Sequence, residues 1–207
     1  MYDWVTHTWN PIKGRCSHNC SYCYMKKWGE LKPMRLVESE LKCDLGKDNF
    51  IFVGSSCDIF AADVPEEWIR KVIERAWEFE NTYLFQTKNP ENMRRIMPPK
   101  TRCCVTIETN RWYPEIMRNS PHPLDRVNQS ALIRQPLYIT IEPILDFDLY
   151  ELLGMMNYLF PEQINIGADS LGHKMPEPPK EKILDLISVL EVFTTVKQKS
   201  NIKRLLK

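Results

Sequence analysis

Short apolar runs that stop abruptly at polar residues recur along this chain, with helical patterns between them. Phe50-Ile-Phe-Val-Gly gives way to Ser55-Ser-Cys-Asp58, Tyr83-Leu-Phe to Gln86-Thr-Lys88, and Cys103-Cys-Val-Thr-Ile to Glu108. Leu137-Tyr-Ile-Thr-Ile ends at Glu142, and Gln163-Ile-Asn-Ile-Gly-Ala at Asp169. A continuously apolar run of this length marks a strand buried on both faces. A first strand is expected over 4–9, and Thr194-Thr-Val-Lys197-Gln198 would be a last one. Between them, Asp63-Val-Pro-Glu-Glu opens a helix with a cap, a proline and acids, and Trp68, Ile69, Val72, Ile73, Ala76 and Trp77 follow at helical spacing. Further helices are expected over 21–28, 35–42, 89–96, within 111–134, over 147–159 and 180–192, and in the basic C-terminal stretch.

Strands alternating with helices imply an α/β chain with a parallel sheet and right-handed crossovers. A doubly wound sheet and a full or partial barrel both satisfy the alternation, and both put the active site at the carboxyl ends of the strands. The polar residues collect at those ends: Asn10, Ser55, Ser56, Asp58, Gln86, Lys88, Glu108, Asn110, Glu142, Asp169 and Lys197. Strand-to-helix loops are polar in any case, and helix capping accounts for Asp63 and Asn89. It accounts less readily for two acids and two lysines at strand termini.

At 207 residues the chain fits one domain over 1–207, and an apolar fraction of 43% is enough for a core. No apolar run reaches the roughly 18 residues needed to span a bilayer. Met-Tyr-Asp-Trp at the start lacks the pattern of a signal peptide, so a cytoplasmic protein is the expectation. A net charge of +1 gives no overall pull toward nucleic acid, although Lys197, Lys199, Lys203, Arg204 and Lys207 crowd the C-terminal end. That cluster reads as a solvated helix face or as a phosphate-binding surface.

Seven cysteines without a secretory context argue against a disulfide framework. Three of them form Cys16-Ser-His-Asn-Cys20-Ser-Tyr-Cys23, in the loop after the first strand. Iron–sulfur clusters are usually held by four thiolates, and structural zinc takes four ligands. A compact set of three suggests a cluster with one iron open to a substrate or cofactor. Because the loop follows a strand, it opens onto the face where the other polar residues gather. Cys103 and Cys104 begin a strand, point to opposite faces and read as core residues.

The cysteine spacing, with Tyr22 before the third, resembles the signature of the radical SAM superfamily. The likeness then narrows. Asn10-Pro, Phe52-Val-Gly-Ser-Ser-Cys-Asp-Ile-Phe, Asp63-Val-Pro-Glu-Glu-Trp, Phe85-Gln-Thr-Lys-Asn-Pro-Glu, Thr106-Ile-Glu, Asp125-Arg126, Ile141-Glu-Pro-Ile-Leu and Val196-Lys-Gln recur in that order. Together they resemble a family of short, phage-associated radical SAM proteins of open function, distantly similar to spore photoproduct lyase. The chain departs from that family in two places: Gly167-Ala-Asp-Ser stands where Gly-Gly-Glu-Ser is usual, and Lys199-Ser-Asn where a tryptophan-glycine follows Lys-Gln.

The resemblance implies a partial (β/α)6-type, TIM-like barrel of six to seven parallel strands. It also implies a [4Fe-4S] cluster on Cys16, Cys20 and Cys23, S-adenosylmethionine on the open iron, and a flavodoxin- or ferredoxin-like external reductant. In it Tyr22 would lie against the adenine, and Ser55, Ser56 and Asp58 would hold the methionine amino group. Glu108 and Asn110 would meet the ribose hydroxyls and Arg126 the methionine carboxylate. Lys88, Glu142, Asp169 and Lys197 would line the cavity near the substrate, with buried Lys–Glu pairing as the structural alternative. His7 is expected to pack within the first strand and His18 to lie beside the cluster. The substrate leans toward a nucleic acid or modified nucleotide. Two other readings stand beside the enzyme: a zinc- or cluster-binding interaction module, which needs a fourth ligand from His7, His18 or a distant cysteine, and a nucleic-acid-binding protein using the basic C-terminus.

Overall fold

A computed structural model of the protein describes residues 2–95 and 97–207. Seven strands form one sheet: β1 (His7–Trp9), β4 (Phe50–Val53), β5 (Thr82–Thr87), β6 (Thr101–Thr106), β7 (Leu137–Ile141), β8 (Gln163–Ile166) and β9 (Thr195–Gln198). They lie in that order, each parallel to its neighbour. Strand order therefore follows chain order throughout, as in a barrel, whereas a doubly wound sheet reverses at a switch point. Among the described residues no pairing joins β1 to β9, so this is a partial TIM-like barrel open along one side. The seventh strand joins, with Asn165 opposite Lys197.

Pleat alternation sorts the sheet into two faces. One face, with Ile51, Val53, Tyr83, Phe85, Cys103, Val105, Ile139, Ile141, Ile164 and Ile166, is covered by the helices and holds two apolar clusters. These helices include α2 (Glu66–Trp77), α5 (Pro123–Ser130), α6 (Leu149–Leu159) and α7 (Lys180–Leu190). In α2 the buried residues are Ile69, Val72, Ile73 and Ala76; of the two tryptophans expected on the same stripe, Trp68 is partly buried and Trp77 is exposed. Each fully buried Ile or Val there contributes about 1.5–3 kcal/mol. The other, inner face carries Phe50, Phe52, Leu84, Cys104 and Tyr138, and the N-terminal segment fills it. Tyr2 stacks on Trp4 at 4.9 Å, and Trp4 packs against Phe50 at 4.8 Å and Tyr138 at 5.9 Å. Cys103 and Cys104 fall on opposite faces, as expected, with burial pushing both thiols up to about 12.

Several boundaries differ from the sequence expectation. The first strand spans only His7–Trp9, and His7 is exposed rather than packed, with its Nδ1 3.0 Å from the Thr6 hydroxyl. The segment expected to be helical over 35–42 begins as β3 (Arg35–Leu36), antiparallel to β2 (Ile12–Lys13), and only then forms α1 (Glu38–Leu41). The helix after Ser21 is a 3-10 turn over Tyr24–Trp28, and the basic C-terminal helix is another over Ser200–Arg204. Helix α2 starts after Pro65 with no side-chain cap, so Asp63 does not serve as its cap. The helix expected over 89–96 is α3 (Pro90–Met93), without a side-chain cap from Asn89; Ile96 lies outside the described residues. Short α4 (Pro114–Met117) precedes α5. Among the described residues no helix is long and apolar enough to cross a membrane.

Candidate active site

Strand ends place the polar residues, and the structure sorts them into separate groups. The first lies at the ends of β5 and β6. Glu108 is fully buried and receives hydrogen bonds from the Tyr22 hydroxyl and from Arg126 Nη1 at 2.6 Å. Lys88 Nζ stands 3.8 Å from Glu108 Oε1 and 5.3 Å from the centre of the Tyr22 ring. Arg126, on α5, is equally buried, and also donates to the carbonyls of Thr106 at 2.9 Å and Pro121 at 2.7 Å. Its Nη2 is buried without a partner among the described residues, an uncommon state for a guanidinium nitrogen. Burial alone would raise the Glu108 pKa, but Arg126, then Lys88, outweigh it and hold the carboxyl below its ordinary value. Lys88 stays above its ordinary value for the converse reason: Cys20 and Glu108 overcome its desolvation.

The cysteine loop stands over this group. Ser21 N bonds the Ile116 carbonyl at 2.9 Å, and Asn119 anchors the loop through the carbonyls of Ser17 and His18. All three thiols are free, and each has a different neighbour. Cys20 Sγ lies 3.3 Å from Ser120 Oγ. Cys16 lies beside Cys57, whose hydrogen bond draws the Cys16 pKa down to about 6, while the same bond and burial hold Cys57 well up. Burial raises Cys23. As placed, no three His, Cys, Asp or Glu side chains among the described residues form a group able to hold a metal ion.

The turn after β4 braces the loop from beneath. Gly54 has φ +73°, and a Cβ there would press on Ile59 at 2.5 Å and on the Cys57 carbonyl at 2.9 Å. Ser55 and Ser56 donate to Asn10 Oδ1 at 3.1 and 2.9 Å. Asp58 Oδ2 meets His18 Nε2 at 2.8 Å and accepts from Thr87 and from Lys88 N; Oδ1 accepts from Phe60 N. All three predicted amino-group ligands are thus bound to the protein itself, Asp58 and His18 as a buried tie between turn and loop.

Of the remaining predicted residues, Asn110 leaves the first group. It donates to Glu151 at 2.7 Å and Asp148 at 3.2 Å and accepts from Asp148 N, which secures the start of α6. Glu142 pairs with Lys199, not Lys197, and accepts from Asn201 Nδ2 at 2.8 Å. Lys199 Nζ also stands 4.5 Å over the Tyr2 ring. Lys197 is exposed on β9, and Asp169 binds His173, its Oδ1 2.7 Å from Nδ1. The predicted quartet Lys88, Glu142, Asp169 and Lys197 therefore does not form one cluster.

Lys199, read only as part of the basic C-terminal cluster, and Asn201 were not among the expected site residues, yet they occupy the stretch where the chain departs from its look-alikes. Gly167, which Gly167-Ala-Asp-Ser shares with the usual Gly-Gly-Glu-Ser, fits them. A Cβ on Gly167 would come within 2.8 Å of Glu142 Oε1 and 3.0 Å of Asn201 Oδ1, so glycine here leaves room for that contact. Pleat parity was the available signal: Lys197 and Lys199 share a face, and only the second lies level with the end of β7.

The family model described as protein of unknown function (DUF5131) matches residues 1–160. No curated protein sequence matches the chain. Among solved structures, a single-site mutant of spore photoproduct lyase is similar, with a TM-score of 0.70 at 12% identity over 93% of this chain and 76% of that one. A doubly substituted spore photoproduct lyase with bound AdoMet and dinucleoside spore photoproduct gives 0.67 at 12% identity, over 92% and 75%. Spore photoproduct lyase complexed with dinucleoside spore photoproduct gives 0.66 at 12% identity, over 91% and 75%.

Proposed function

We propose that this chain, which belongs to the DUF5131 family of proteins of unknown function, is a radical SAM enzyme acting on a nucleic acid or modified nucleotide. The observation that carries the reading is the position of three free cysteines, on one loop at the strand ends of a fold like that of spore photoproduct lyase, directly over Tyr22, Lys88, Glu108 and Arg126. The donor set suits a [4Fe-4S] cluster, since thiolates are the ligands and none is committed to a disulfide. When bound, such a cluster with S-adenosylmethionine would supply a deoxyadenosyl radical for hydrogen abstraction.

The chain's own residues would do the rest. Cys16, Cys20 and Cys23 would hold the cluster after rotating toward one another. Arg126 offers an unpartnered buried nitrogen to a carboxylate. Tyr22, hydrogen-bonded to Glu108, presents a fixed ring to an adenine, and Lys88 would hold a cation beside it. The leaning toward a nucleotide draws on the dinucleoside bound by the structural neighbours and on the open side next to exposed Lys197.

A second reading has one observation in its favour. Cys57 stands beside Cys16 and would complete a closed four-thiolate centre with no room for a cofactor. Anaerobic reconstitution separates the two. The enzyme reading expects iron and sulfide bound in the wild type and in Cys57→Ala alike, and deoxyadenosine and methionine released on reduction with dithionite. Loss of iron in Cys57→Ala, with no cleavage by the wild type, would establish the closed centre instead.

A further inference from the structure

The outer surface of the cysteine loop is crowded with cations that nothing in the site uses. Between residues 10 and 37 the chain carries Lys13, Arg15, Lys26, Lys27, Lys32 and Arg35 against a single acid, Glu30. Lys13 pairs with Glu40 at 2.7 Å; among the described residues no ion pair engages the other five, nor Arg118, which the loop brings alongside. Arg15, Lys27, Lys32, Arg35 and Arg118 are exposed. Lys26 donates to the Asn19 carbonyl at 3.0 Å, and desolvation, then the nearby Arg118, pulls its ammonium below its ordinary pKa against the opposing pull of Cys23 and Cys20. Two aromatic rings stand among them, Tyr24 at 43% and Trp28 at 70% exposure. Immediately outside Cys16, a cavity of about 530 Å³ opens between Arg15, Asn19, Met34, Trp68 and Asn119, with one acid, Asp63, in its wall.

Position decides what this surface is for. Pro65 and Trp68, at the start of α2, line the cavity, so it lies on the outer flank of the loop, where the loop meets the helix layer. Tyr22, Lys88 and Glu108 lie on the strand-end side, where a substrate must enter. A nucleic acid held on the outer surface would be separated from the reacting centre by the loop itself. An electron carrier needs no such access: it has only to come close to the thiolates, and Cys16 lines the cavity wall.

We propose that the outer face of the cysteine loop, centred on Arg15, Lys32 and Arg35, is the docking surface for an acidic one-electron carrier protein. The inference rests on the radical SAM reading above. The step is a transfer of one electron: the reduced carrier is oxidised by one, the thiolate-held centre is reduced by one, and no bond forms or breaks. Such encounters are small, transient and steered by opposite charge, which suits a patch of unpaired, exposed cations around two exposed rings.

The test begins with binding, which needs no turnover. Labelled protein is titrated with an oxidised acidic flavodoxin at low and at moderate salt, for the wild type and for the Arg15→Glu/Lys32→Glu/Arg35→Glu variant, with circular dichroism confirming the fold. The expected result is wild-type binding that weakens steeply with salt, and a loss of about tenfold or more in the variant. Lys203→Glu/Lys207→Glu serves as a control and should bind the carrier as the wild type does. An equal loss in that control, no loss in the triple variant, or no carrier binding by the wild type would overturn the proposal. Binding of a single-stranded DNA oligonucleotide that the triple variant alone abolishes would overturn it too, by assigning the face to nucleic acid. Reduction with dithionite bypasses the carrier. Failure of the wild type to cleave S-adenosylmethionine with dithionite defeats the enzyme reading, whereas cleavage with dithionite but equal flavodoxin-driven rates in wild type and variant defeats only the docking surface.

Discussion

Two ion-paired groups crown this sheet, and they are built on different terms. At the ends of β5 and β6, Glu108 and Arg126 are both wholly excluded from solvent. At the ends of β7 and β9, Glu142 and Lys199 retain 19% and 16% of their side-chain exposure. The first pair is enclosed by the cysteine loop above and α5 behind; the second borders the open side of the barrel. Burial decides what each charge is worth. A buried charge stripped of its partner is costly, whereas a partly hydrated pair contributes little and is screened by salt. A charge in the dry group therefore acts at close to full strength, and one in the wet group is damped by water and salt.

The sharpest way to break this contrast is Arg126→Met. Leaving Glu108 buried with only Lys88 and Tyr22 should cost about 3 kcal/mol or more in urea unfolding at neutral pH. A loss under about 1 kcal/mol would mean that water reaches the group. The pH dependence of the same variant sharpens the point. In the wild type the Glu108 pKa is depressed, so its contribution is complete above the unfolded value of about 4.3 and is lost as pH falls through the folded value. Without Arg126, desolvation should raise that pKa, and stability should then fall as pH rises from about 4 to 6. Across that range the Glu108 contribution should leave the wild-type midpoint level, while the variant's midpoint should fall as pH rises.

Lys199→Met should cost only about 1 kcal/mol or less, and the difference from wild type should shrink when salt is raised. A salt-independent loss as large as that of Arg126→Met would erase the distinction between the groups. Smallest of all, Lys197→Ala should leave stability within about 0.5 kcal/mol, as exposed positions do. A weaker affinity for nucleotide in that variant, by fluorescence anisotropy, would place substrate at the open edge.

The contrast also explains what could be read from the sequence. The strands, their polar ends and the cysteine loop follow from periodicity and punctuation, which are local properties, whereas the order of the strands in the sheet was implied only by the family resemblance. Partner choice is not local. The resemblance implies one role for Glu108 and Asn110, yet Asn110 serves α6 while Glu108 faces the loop. Asp58 finds its partners, His18 and Thr87, 40 and 29 positions away, beyond the reach of any local pattern. The β2–β3 pair was missed for a further reason: two-residue strands carry no alternation to detect.

The open side has a consequence for how the chain assembles. Each strand in the sheet pairs with the one before it, and the widest separation between partners is the 44 positions from His7 to Ile51. Closing a barrel would add a contact between the first and last strands, the most expensive loop of all to shut. This sheet never has to shut it. It can grow one strand at a time in the order of synthesis, with β9 as the last addition rather than a closing seal.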